Sequence, residues 1–264
     1  MGMMICINIL KSIYRIGLKC VSINWLKTLY VNFTLLQFKY AIKCPIVIYH
    51  RVEVHIRKSK MFLTCPPRFG TITWGKQSDW MLSSKEQSLI LVLNSEIRIG
   101  SNCTFGPGCT LRVQNAKLEI GKNAGFGGGS KILCFHCIKI GDNLACGFES
   151  LFYDSNSHYI MQSDGKIPYL HGNIEVGDNV WIGNNATIFR NAVIPSNSIV
   201  AQRAFVNKDF SDNSFSILLA GIPAKVKKSK IKFIDDRFNK DLTSKLDSYY
   251  LANSNALYIN KNEI

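Results

Sequence analysis

The chain has 264 residues, 47% hydrophobic and 19% charged, which is enough apolar material for one sizeable core and too little bias for a disordered or collagen-like polymer. The formal net charge of +14 calls for an anionic partner: nucleic acid, an anionic membrane face or lipid phosphate, or a phosphorylated small molecule. No nucleic-acid-binding motif appears and the basic residues are spread along the chain, so nucleic acid is set aside.

The first forty residues mix apolar and basic types, Ile5, Ile9, Ile13 and Leu18 with Lys11, Arg15, Lys19, Lys27 and Lys39. No uninterrupted apolar run there reaches the length of a transmembrane helix, and no small-residue signal cleavage site is evident. The segment 1–44 predicts a basic amphipathic helical cap, read either as peripheral contact of residues 1–40 with the inner face of a membrane or as a plug for the end of the fold. Apolar alternation at Ile46, Ile48, Val52, Val54 and Ile56 marks residues 45–98 as irregular first coils of a domain spanning 45–232.

A comb then begins. Ile99, Phe105 and Leu111, next Ile120, Phe126 and Ile132, next Ile140, Cys146 and Phe152 keep a spacing of six, and Val176, Ile182, Ile188, Ile194, Val200 and Val206 keep it without a slip. A period of six fits neither the 3.6-residue helix nor one two-sided strand; it fits short strands joined by tight turns, each giving one aliphatic side chain to a shared core. Gly and Asn after the aliphatic positions suit corners that need positive φ. The spacing predicts a parallel β-helix, interrupted by small insertions near Lys117 and at 136–139 and by a loop at 153–173 too long for a corner.

The nine cysteines are odd in number and irregularly spaced, and read as reduced residues of a cytosolic protein; Cys134 and Cys137 lack the second pair that a zinc site needs, so no metal is expected. An open solenoid end exposes unpaired backbone and needs a cover. Phe238, Leu242 and Leu246 at helical spacing predict a helix over 235–251 in a C-terminal extension, 233–264.

The run from Ile174 to Gly183, the run Ile199–Asp209 and the closing Ala220-Gly221-Ile222-Pro223-Ala224-Lys225-Val226 together resemble hexapeptide-repeat O-acetyltransferases of the galactoside, maltose and serine type, most of all the branch that acetylates bacterial surface polysaccharides. The resemblance covers about 97–232, and Lys27-Thr28-Leu29-Tyr30-Val31-Asn32-Phe33 adds a weaker likeness. It implies a left-handed β-helix, a homotrimer, acetyl-CoA as acyl donor, a carbohydrate acceptor, lipid-linked or not, and active sites between neighbouring subunits. None of this follows from the spacing alone, and the left hand runs against the usual crossover rule.

Acetyl transfer from a thioester to a sugar hydroxyl needs one base, and a neutral imidazole suits it near pH 7. The stretch Phe152–Ile160 resembles the family segment carrying the catalytic histidine, which assigns His158 as base, with Asp154 to orient it or hold the acceptor. His171, at the far end of the same loop, is a further acceptor contact, and Trp181 falls where the family has a tryptophan beside the acceptor pocket. By position Asn184, Gln202, Asn207 and Lys208 line the pantetheine arm of the donor, and Lys225 and Lys228 meet its phosphates. Gln202-Arg203-Ala204 departs from the small residues that relatives have there, so Arg203 either adds a phosphate contact or obstructs the groove. The competing readings are a non-catalytic trimeric β-helix scaffold and an acyltransferase for another small hydroxyl or amine acceptor.

Overall fold

The computed structural model describes residues 22–49, 51–76, 86–213, 216–253 and 256–257. Residues 1–21 of the sequence-predicted helical cap and membrane contact lie outside the described residues.

Successive short strands do not pair with their sequence neighbours. Each pairs with the strand one full coil later, giving three stacked sheets of 9, 7 and 6 strands, parallel throughout except for the last hairpin, Ile217–Ala220 against Lys225–Ser229. The register carries the comb directly: Ile140 faces Val176 and then Ile194 on one sheet, Cys146 faces Ile182 and then Val200 on the next, and Phe152 faces Ile188 and then Val206 on the third. All nine side chains are buried in one shared core. The lower coils are filled by a column of aromatic rings, Trp74 on Phe105 at 3.8 Å and Phe105 on Phe126 at 4.8 Å.

The corners explain the Gly and Asn usage. Asn102, Asn123, Asn143, Asn179 and Asn197 all adopt φ between 55° and 61°, and the side-chain amides of the first four each donate to the next Asn above at 2.8–3.1 Å, forming a ladder along one edge of the prism. Gly127 has a different cause: a Cβ there would sit 2.7 Å from the backbone of Gly147 in the next coil.

Helix α1 (Trp25–Leu35) starts on Asn24, whose Oδ1 accepts from the Lys27 amide, and buries Thr28, Val31, Asn32 and Leu35 against the first coil. Asn32 donates to the Ile46 carbonyl at 2.7 Å and accepts from the Ile46 amide at 3.2 Å, so the helix supplies the hydrogen bonds that an open sheet end lacks. The short α2 (Phe38–Ala41) leads into the first strand, Ile46–Ile48. At the other end the expectation needs correction. Helix α3 begins at Lys240, runs to Ala252 and buries none of its described side chains, so it does not close the solenoid; Phe210, beside the last coil, is turned into the core. Residues 235–239 are instead a turn, where the Asp235 carboxylate takes the Arg237 guanidinium at 2.6–2.9 Å and Arg237 is held by carbonyls of the coils.

Candidate active site

The long loop leaves after Leu151–Tyr153 and returns at Ile174–Val176, at the edge between the second and third sheets. Its base is tightly built. Ser155 pairs with His171 in an antiparallel bridge, the Asn156 amide donates to the Leu170 carbonyl at 3.0 Å, and the Gly172 amide donates to the Asp154 carbonyl at 2.9 Å. From the coil above, Arg190 donates to Asn156 at 3.2 Å and to the Tyr169 carbonyl at 3.4 Å. His158 stands two residues past this anchorage, exposed, with its amide bonded to the Asn156 carbonyl at 2.8 Å. An exposed side chain on a pinned backbone is suited to meet a ligand without moving the scaffold.

The Asp154 side chain turns to the coil below, where its hydrogen bonds are to backbone amides. Its side chain is fully buried, and its two oxygens accept from the Phe135 and His136 amides at 2.8 Å each. Burial pushes this carboxyl above its ordinary range even though those amides favour the charged form. The reason is geometric: the coil below has its corner at 135–136, and two amides there need acceptors that a departing chain cannot supply from its backbone. His171 is likewise drawn into an aromatic cluster. It stacks on Phe135 at 6.4 Å and on His136 at 6.3 Å, Tyr169 meets it edge-on at 5.5 Å, and its Nδ1 is buried without a hydrogen-bond partner among the described residues.

A second feature lies on another edge. Trp181, Asn184, Ile199, Gln202 and Leu218 line a groove of roughly 300 Å³ along the first sheet and its corner. Asn184 is fixed there by its Oδ1, which accepts from the Phe148 amide at 3.0 Å. Lys225 and Lys228 stand exposed on the last strand, opposite Ala220 and Leu218, which borders the groove. Asn207 and Lys208 do not join them: they sit at the far corner of the last coil, where Lys208 lies 5.0 Å over the Phe210 ring. Arg203 occupies the corner position with φ of 58°, stacked above Asn185 with φ of 58°, and its amide donates to the Asn184 carbonyl at 2.9 Å. Trp181 is 41% exposed, and one face of its indole is covered by Phe233 at 5.2 Å.

Phe233 belongs to a C-terminal strap that sequence reasoning missed. It runs back over the outward side of the first sheet, where Thr104, Gly125 and Ala145 leave a shallow trough beside Trp181. Arg237 lines it, donating to the carbonyls of Asn123 at 2.9 Å, Leu144 at 3.2 Å and Asn143 at 3.3 Å. The only local signal was the pair of small residues at outward comb positions. Within one chain the loop and the groove are separated by the breadth of the second sheet, about 10 Å for the three residues Thr187–Phe189.

These features define a left-handed parallel β-helix of hexapeptide repeats with a loop on one edge and a groove on another. Among solved structures, the polysialic acid-specific acetyltransferase NeuO shares this fold at a TM-score of 0.51 and 17% identity, over 78% of this chain and 92% of that one. The polysialic acid O-acetyltransferase OatWY matches at a TM-score of 0.44 and 19% identity over 78% and 95% of the two chains. A hexapeptide-repeat acetyltransferase from Vibrio cholerae complexed with acetyl-CoA matches at 0.37 and 22% over 56% and 70%. No family model and no curated protein matches the sequence.

Proposed function

We propose that the chain transfers an acetyl group from acetyl-CoA to a sugar hydroxyl of a surface polysaccharide or its lipid-linked precursor, at the cytosolic side of a membrane, as a homotrimer. The exposed His158 on a pinned loop base carries the reading; the shared fold with a polysialic acid-specific acetyltransferase supports it. The imidazole takes the proton of the acceptor hydroxyl as its oxygen attacks the thioester carbonyl, the tetrahedral adduct collapses, and CoA leaves as the thiol after receiving that proton. Burial raises the thiols of Cys103, Cys109 and Cys146 to about 12, far from the range of a nucleophilic thiolate, which leaves these three out of an acyl-enzyme route.

The groove of Trp181, Asn184 and Gln202 takes the pantetheine arm, and Lys225 and Lys228 receive the phosphates. Because loop and groove sit on different edges of one chain, His158 of one subunit completes the groove of its neighbour. Calorimetry of acetyl-CoA on wild type and His158→Ala, followed by a thiol-release assay over a panel of sugars, tests the reading. Binding by both with release by wild type alone is expected; wild type that binds no acetyl-CoA would turn the assignment to a non-catalytic scaffold.

A further inference from the structure

The outer side of α1 is as apolar as its inner side. At 100° per residue, Thr28, Val31, Asn32 and Leu35 share the arc buried against the first coil, whereas Trp25, Leu26, Leu29, Tyr30 and Phe33 share an arc facing away, with Leu26 83% exposed. Phe38, 73% exposed, continues the patch along α2 with its ring 5.8 Å from that of Phe33, and exposed Phe69 extends it by stacking on Trp25 at 6.1 Å. Single exposed apolar residues need no explanation, but a contiguous aromatic patch at one end of a solenoid does.

Among the described residues, the exposed charges next to the patch, Lys39, Lys43 and Arg68, are all cations. A second copy seated here would set the same uncompensated cations against one another, whereas a sheet of lipid phosphates would neutralise them. Trp and Tyr rings, apolar with a polar atom, suit the depth of lipid headgroups.

We propose that this end of the solenoid docks on an anionic phospholipid bilayer: the outer side chains of α1 and α2 with Phe69 enter the boundary between headgroups and acyl chains, and Lys39, Lys43 and Arg68 contact phosphates. The proposal stands independently of the acetyl transfer. It places the axis of the β-helix upright on the membrane, with the His158 loop several coils above the surface.

Flotation of the full-length protein with vesicles of phosphatidylcholine alone, or mixed with phosphatidylglycerol, is the test. Wild type is expected to float with the mixed vesicles; Leu26→Ser with Phe38→Ser, and separately Lys39→Glu with Lys43→Glu, should each lower the bound fraction by about tenfold or more. All four positions are exposed, so circular dichroism melts should match wild type and exclude misfolding. Wild type that stays down with mixed vesicles overturns the proposal, as does a serine double variant that floats like wild type. A serine double variant that changes sedimentation mass without vesicles would also overturn it, assigning the patch to a second copy.

Discussion

The His136 amide donates to Oδ2 of Asp154 at 2.8 Å, so the residue at which the long loop departs is fastened to the corner of the coil beneath it. Asp154→Asn would turn an NH2 group toward one of two amide donors. The expected cost is about 1–3 kcal/mol in urea unfolding. Because burial raises the folded carboxyl above its unfolded value, the folded state binds more protons in the window above about pH 3.9, and this group's contribution falls as pH rises through it. The stability gap between wild type and variant should therefore narrow as pH climbs from 4 towards neutrality. Unchanged stability with lost activity would instead assign Asp154 to the imidazole.

If neighbouring subunits share each site, two dead variants should rescue each other. Co-expressed His158→Ala and Gln202→Trp chains, each inactive alone, are expected to form mixed oligomers that recover part of the thiol release. Mixed oligomers without activity, checked by differential tags, would place loop and groove function within one chain.

Arg203 holds a left-handed backbone conformation that Asn tolerates better than Arg. Arg203→Asn should raise stability by about 0.5–1 kcal/mol, read from thermal melts. With its side chain at an exposed corner, the KM for acetyl-CoA should stay within about twofold. A sharp rise in KM would give Arg203 a phosphate contact after all.

Thiol accessibility should follow burial. At pH 7.5 a maleimide is expected to label Cys44, Cys65 and Cys137 in the folded protein and to spare Cys103, Cys109, Cys134 and Cys146, which become reactive only on unfolding. Peptide mapping by mass spectrometry reads this directly; fast labelling of Cys109 in native protein would contradict the packing of the coils.

Much of the scaffold was legible because a β-helix repeats one local rule. Ile140, Cys146 and Phe152 occupy the inward positions their spacing assigns, and the loop at 153–173 leaves and rejoins the strands where the comb breaks. The site was less legible. Asn184, Gln202 and Trp181 meet in one groove, but Asn207 and Lys208, only a few residues on, turn a corner and face another edge. Asp154 is bonded to amides of the coil below, 18 and 19 residues earlier in the chain, and His171 stacks on a ring of that same corner, His136.

The sequence by itself determined the period, and with it the parallel coils, the Asn-rich corners and the buried column, because each depends on residues no more than one turn apart. Only the tertiary structure decided where the C-terminal strap lies, since Arg237 is held by carbonyls 93 and 114 residues upstream. It alone also showed that α1 covers the first coil with one face and leaves an equally apolar face open. A pattern of apolar residues records how much surface must leave water, and only the packing of the whole chain fixes which part of it remains.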